Sequence, residues 1–392
     1  MLQITILKYT NFTINPLILL LNLDLDITKL SDFIVPVGIS FFTLQGIGYL
    51  VNIYMGWEEP EKSFINFLQY IIFFPKFISG PIERSNHFLP QLKVNQLFNE
   101  QQVAEGLKIA FFGFFKKIVI ANQLGVLVNG VYNNISSFNG LDLWIIVFLQ
   151  PLYLYFDFSG YTDIAIGLAK TYGIELLPNF NRPLLSENIT TFWRRMHMSL
   201  SFWFNDYLFK QISFRYRKWG IYASVFAVFV TFTLFGIWHG SGLNFMILGF
   251  MQALAINYEF FSKRIRLSIF SKIPNYFRTW VGRLFTYSFF GLSLILFFAP
   301  NMNVASTFIS RLFIFDYNGS LLDPSYALLT ALICLLLFMI LEIINNDFKS
   351  LYTMISNFWT KHRFLRVALI YFLLLLIMSS LTGEVSFIYQ MF

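Results

Sequence analysis

The feature that most limits what this chain can fold into is a series of long apolar runs separated by short polar stretches. Runs at 33–55, 106–129, 143–169, 220–238, 243–261, 281–299, 324–344 and 366–382 approach or exceed the roughly 20 residues that cross a bilayer as a helix. In lipid each backbone N–H and C=O must be satisfied within the segment, so such runs fold as helices. Two weaker runs lie near 12–23 and 64–80. The second, FINFLQYIIFFPKFISGPI, is short, carries Lys76 and ends at Gly80 and Pro81, which suits a re-entrant or interfacial segment better than a crossing. Composition agrees: 56% of the 392 residues are hydrophobic and 12% are charged, about half the charge fraction of a soluble domain. The chain therefore reads as an all-α polytopic integral membrane protein with about 8–10 membrane segments, re-entrant or interfacial helices included. No internal repeat or low-complexity linker divides it, so residues 1–392 form one domain.

The net charge of +7 concentrates at the ends of the apolar runs, where it sets orientation and meets anionic headgroups rather than nucleic acid. Segment 262–283 holds Lys263, Arg264, Arg266, Lys272, Arg278 and Arg283, and segment 345–366 holds Lys349, Lys361, Arg363 and Arg366. Between them, 300–323 has only Arg311. The positive-inside rule places 262–283 and 345–366 in the cytoplasm, and 300–323 and the turn 239–242 toward the outside. Lys116 and Lys117 fall near the centre of a span, which requires that the helix end, tilt or turn them into protein. Cys334 stands alone, which excludes a disulfide framework or a cysteine-based metal site. The N-terminal MLQITILKYTNF lacks the pattern of a signal peptide.

Chemistry concentrates in two places. His239 interrupts FAVFVTFTLFGIWHGSGLNFMILGF, just before a glycine-rich break. A histidine buried there is either satisfied by a backbone carbonyl or used by the protein. The second place is 156–210, where Asp157, Ser159, Tyr161 and Asp163 punctuate one apolar run and Ser186 can cap a following helix with Glu187 in its first turn. In that helix Arg194, His197, Ser201 and Asn205, spaced three, four and four, share one face. Two readings stay open. The helix lies in the interface, with Trp193 and Trp203 as anchors and Arg194 and Arg195 snorkelling to phosphates, or it lines a polar tunnel that holds substrate. His87 and His362 sit in polar loops and read as solvated surface. Ser159 or Ser241 with Asp157 or Asp163 would be a triad only if the fold supplied the geometry. No GxSxG, HExxH or P-loop in convincing context is present.

The ordered series PVGISFFTLQGIGYLVNIYMG (36–56), IFFPKFISGPIERSNHFLPQL (72–92), YFDFSGYTDIAIGLA (155–169), NFNRPLLSENITTFWRRMHMSLSFWFNDYLF (179–209) and FGIWHG (235–240) resembles the membrane-bound O-acyltransferase family. The resemblance is to its bacterial branch that O-acetylates alginate and other exported polysaccharides, with the teichoic-acid D-alanyl transfer proteins as cousins. It implies a multi-helix funnel with a tunnel, core motifs within 33–261 and further spans within 281–392. By the same resemblance His239 is the catalytic residue of the Trp-His-Gly motif and His197 a supporting one. Trp238, Arg194, Arg195, Ser201, Asn205, Asp206 and Asp157 are the expected substrate-contacting or tunnel-lining residues, and no metal is expected. The implied reaction moves an acetyl group from a cytoplasmic donor, such as acetyl-CoA or an acyl-carrier thioester, to hydroxyls of an exported polysaccharide or envelope polymer. No cofactor is bound. Transfer is direct or through a periplasmic or extracytoplasmic acetyltransferase partner, in the bacterial cytoplasmic membrane among its lipids. Transfer of D-alanyl or another acyl group, and a transporter, channel or export scaffold, are the alternatives. Three features depart from the family pattern. The chain begins at a segment usually preceded by about two membrane helices, so an N-terminal portion is expected to be missing. Met196 replaces a Trp, and KQISFRYRKWG replaces a Gly/Asn-rich loop.

Overall fold

The computed structural model describes residues 38–240, 242–315 and 326–381, and every element among them is helical. The weak run at 12–23, Ser241 and the C-terminal FIYQMF lie outside the described residues. Helix α1 (Ile39–Tyr54) starts at Gly38, whose φ is +78° and where a Cβ would meet the Phe77 carbonyl oxygen at 2.2 Å; only glycine allows that close approach. Ser63 caps α2 (Phe64–Ile72) by accepting from the Asn66 N–H. At nine residues this helix is about 13 Å long and cannot cross a bilayer. A 3₁₀ turn at Phe74–Lys76 and α3 (Ser85–Leu92) complete a lobe of short helices.

Two long helices form the axis. In α4 (Glu100–Asn133) the Asn99 side chain caps the start, and the turn Phe115–Ala121 is π-helical. In α5 (Gly140–Thr171) Asn139 and Asp142 make a capping box. The two pack backbone against backbone. A Cβ on Gly113 would lie 2.6 Å from the Gly160 carbonyl oxygen, and one on Gly167 would lie 2.5 Å from Gly106 O, the small-residue contact that lets membrane helices approach closely. This packing accounts for the lysines in the middle of a span. The π turn points Lys116 at Asp163 (2.6 Å) and Lys117 at Asp157 across the interface, so both charges are compensated inside protein rather than offered to lipid. The most apolar stretch of α5 is 72% buried, against 33% in the helices that carry the second half of the sequence motifs. α5 is therefore the core, and those helices keep a lipid-facing side.

The chain continues through α6 (Ile189–Trp193), α7 (Met198–Phe204), a π-helical turn at Asn205–Phe209 and α8 (Lys210–Arg215). Then come α9 (Ile221–His239), α10 (Leu243–Phe270), α11 (Asn275–Phe298), α12 (Met302–Arg311), α13 (Tyr326–Asp347), α14 (Lys349–Lys361) and α15 (Arg363–Ser379). Six helices among the described residues are long and apolar enough to cross a membrane, or seven if α14 and α15, bent by 94°, count as one span. The expected basic loop at 262–283 is largely helix, because α10 runs on to Phe270 through Lys263, Arg264 and Arg266. Lys and Arg are good helix formers and do not stop a helix where lipid ends. Likewise, 300–323 contains α12 and 345–366 contains α14.

Candidate active site

Glycines set the position of His239. It is the last residue of α9, and Gly240 ends the helix with its N–H bonded to the Ile237 carbonyl. A Cβ on Gly240 would sit 2.2 Å from the Phe245 ring, and one on Gly236 would sit 2.2 Å from the Phe245 carbonyl oxygen. From the other helix, a Cβ on Gly249 would lie 2.1 Å from the Phe232 carbonyl oxygen. α9 and α10 thus cross at backbone contact one turn below His239. Asn244 fixes the start of α10 by donating to the Leu296 and Ala299 carbonyls at 2.9 Å each. The His239 ring lies among aromatic rings, with centroids 4.9 Å from Trp238, 5.0 Å from Phe235 and 5.6 Å from Phe297.

His197 arrives from a helix break. The spacing of Arg194, His197, Ser201 and Asn205 suggested one continuous face, but the helix stops after Trp193 and His197 adopts φ +46°, ψ +52°. A side chain in this left-handed region is held there by its surroundings. Asn179 does the holding: its carbonyl accepts from the Met198 N–H at 2.9 Å, and its Oδ1 accepts from the Ser199 N–H and Oγ. The cap of α6 also differs from the Ser186 expected. Asn188 Oδ1 accepts from the Thr191 N–H at 2.7 Å, and Glu259 of α10 accepts from the Ile189 and Thr190 N–H groups. The break turns the His197 ring inward, 4.5 Å from Phe158 edge to face and 6.2 Å from Trp238.

Both histidines line one cavity of about 30 Å³, together with Leu154 of α5, residues of the α6–α7 break, and the facing sides of α9, α10 and α11. That is room for one or two waters. Sequence reading missed the third polar side chain on its wall, Gln252, which accepts from Trp193 Nε1 at 3.1 Å and donates to Ser293 Oγ at 2.9 Å. A single amide in the apolar run FMQALAI was the available signal. Trp238 packs against both histidines, so the structure brings His197, Trp238 and His239 together.

The other residues expected to contact substrate or line the tunnel lie off this cavity. Arg194 is exposed, and Ser201 donates to the Met196 carbonyl. The Arg195 carbonyl accepts from the Asn181 N–H. Asn205 donates to Asp206, whose carboxylate binds Arg84 at 3.0 Å and Lys210 at 2.8 Å. Asp157 is fully buried against Lys117. Lys116 and Asp157 therefore serve different partners. Arg84 stacks on Tyr207 at 4.7 Å beside a second polar cluster, in which Glu58 accepts from Asn52 and Ser85.

Residues 61–299 match the membrane-bound O-acyltransferase family. The chain is 31% identical over 326 residues to a probable alginate O-acetylase of Pseudomonas putida, covering 83% of this chain and 65% of that protein. It is 32% identical to a peptidoglycan O-acetyltransferase of Helicobacter pylori, over 76% of this chain and 60% of the relative. A teichoic acid D-alanyltransferase of Bacillus subtilis is 33% identical over 58% of this chain and 59% of its own length. The chain thus spans about three fifths to two thirds of the length of these relatives. With the family pattern extending from the start of α2 through the end of α11, the chain belongs to the membrane-bound O-acyltransferase family.

Proposed function

We propose that this multi-pass membrane protein transfers a short acyl group from a thioester donor to a hydroxyl of an envelope polymer, with His239 as the general base. The observation that carries this reading is the pair of buried histidines, His197 and His239, on one cavity walled by five helical elements. A hydroxyl is a weak nucleophile near neutral pH, and a positioned imidazole that accepts its proton accelerates attack by about 10²–10⁴-fold. In the step proposed, the acceptor oxygen bonds to the thioester carbonyl carbon while His239 takes its proton. The C–S bond then breaks, and the proton passes to the leaving sulfur as a thiol. Two imidazoles sharing an apolar cavity disfavour a double positive charge. While His239 carries the proton taken from the acceptor, His197 is left to hydrogen-bond the reacting groups.

The basic segments 262–283 and 345–366 support a cytoplasmic donor side, with the His239 end of α9 toward the acceptor. A polymer acceptor or an extracytoplasmic acyltransferase that receives the acyl group fits that side. Acyl transfer to washed envelope polymer, measured with labelled thioester and membranes containing the chain, tests the reading. His239→Ala should abolish transfer while leaving the protein folded in detergent. Undiminished transfer by that variant refutes the assignment.

A further inference from the structure

The cavity beside the two histidines constrains the acyl group as well as the base. Leu154, Met196, Phe235, Leu248, Leu294 and Phe297 supply much of its wall, and all six are at least nine-tenths buried. The one polar side chain on the wall besides the histidines, Gln252, spends its carbonyl on Trp193 and its amide nitrogen on Ser293. An ammonium entering this space would give up water for a wall of carbon, two imidazoles and an amide already engaged, with no carboxylate among the lining residues, and burying an uncompensated charge is strongly unfavourable. Size is limited as well, because the cavity is about 30 Å³.

The walls differ in how far they can yield. Gly236 and Gly249 mark the place where α9 and α10 touch through backbone, so that side is fixed. Met196 lies in the α6–α7 break and Leu294 on α11. These are side-chain walls, and truncating either side chain widens the cavity.

We propose that this cavity selects a small uncharged acyl group, with acetyl the best fit and an ammonium-bearing acyl group refused, and that Met196 and Leu294 set the size limit. This rests on the acyl-transfer reading above and names the substrate class of that same site. In the transfer step the thioester carbonyl stands at His239 and the acyl methyl occupies the cavity. Each added methylene must then displace close-packed atoms, and in a closed apolar pocket one methylene is worth about 10–200-fold in discrimination.

The test uses the full chain in membranes, with acetyl, propionyl, isobutyryl and D-alanyl groups on coenzyme A and on pantetheine. Isobutyryl and D-alanyl have nearly the same shape and differ by a methyl against an ammonium, so the pair separates size from charge. Acetyl should transfer fastest, propionyl about 10-fold or more slower, and D-alanyl least. Met196→Ala and Leu294→Ala should each raise isobutyryl relative to acetyl by about 10-fold without raising D-alanyl in parallel. The two variants alter separate helices, so a folding defect in one leaves the other informative, and Met196→Leu should keep the size limit. The proposal is overturned if the unaltered chain moves D-alanyl as fast as acetyl, or if both widened variants keep the original preference. It is also overturned if isobutyryl and D-alanyl rise together. A chain that transfers none of the four groups overturns instead the acyl-transfer reading.

Discussion

Replacing Gly236 by alanine adds one methyl group at the α9–α10 crossing, and the structure fixes what that methyl must do. Its carbon would lie 2.2 Å from the Phe245 carbonyl oxygen, 2.9 Å from the Gly249 nitrogen and 3.0 Å from the Gly249 Cα. All three obstacles are backbone, so no side chain can swing away. Reaching ordinary contact at 3.4 Å requires the helices to part by about 1.2 Å at this level. Overpacking of this kind costs about 1–3 kcal/mol, which leaves the chain folded. His239 lies three residues away on the same helix, while Gln252 and the Asn244 anchor ride on α10. A displacement of about 1 Å between reacting groups can cost about 10²-fold in rate, so acyl transfer should fall by that order. Transfer rate and thermal stability by size exclusion, measured side by side, give the answer. Gly46→Ala in α1, where an added Cβ meets nothing within 4 Å, is the control and should leave both unchanged. If Gly236→Ala retains transfer within about threefold of the unaltered chain, the reasoning that backbone contact positions His239 is wrong.

Two further outcomes follow from the charges. Asp157→Asn removes the partner of Lys117 in the α4–α5 interface and should cost about 3–5 kcal/mol, because a buried charge is left uncompensated. The same change with Lys117→Met added should recover most of the lost thermal stability. His87, on α3, is bonded to buried Glu83 at 2.8 Å, and that hydrogen bond raises its pKa against an opposing burial effect. Its stabilisation is complete below the ordinary histidine value of about 6.5 and is lost as pH rises through the raised folded value. Because the ring is more than a third exposed, the effect is small. Glu83→Gln should flatten that part of the stability-against-pH curve.

The spans were legible because apolar length alone decides whether a segment can lie in lipid, and the runs around 106–129, 143–169 and 220–238 are helices at nearly those bounds. The ends were not legible, since Lys263, Arg264 and Arg266 carry α10 past the apolar run as readily as alanine would. α12 and α14 were missed because short mixed-polarity segments read as loop until a neighbouring surface gives them a face to bury. His239 stood out as an ionisable group in an apolar run. The polar stripe through Arg194, His197, Ser201 and Asn205 misled, because TFWRRMHMS contains neither Gly nor Pro to announce a break. That break is imposed by Asn179, eighteen residues before His197, and tertiary hydrogen bonding of this kind leaves no periodic mark.

Both histidines sit where a helix stops, and the stops are made by different means. At His239 a glycine ends the helix and keeps its N–H bonded within the last turn. At His197 the backbone is left-handed, and its freed donors turn to Asn179, which takes both the Met198 and Ser199 N–H groups. Within a membrane, non-helical backbone is tolerated only where protein satisfies it or where it lines a cavity, and these two stops meet both conditions. Asn179→Ala keeps the backbone acceptor but removes the Oδ1 that serves Ser199 twice. About 1–3 kcal/mol of support for the break is lost, which is enough to let the 194–199 segment relax toward continuous helix and swing His197 off the cavity. The spans do not depend on Asn179. The variant should therefore insert and stay monodisperse while losing transfer activity, with faster amide exchange confined to 194–199. Full activity with unchanged exchange there would show that the break is intrinsic to its own residues and that Asn179 only decorates it.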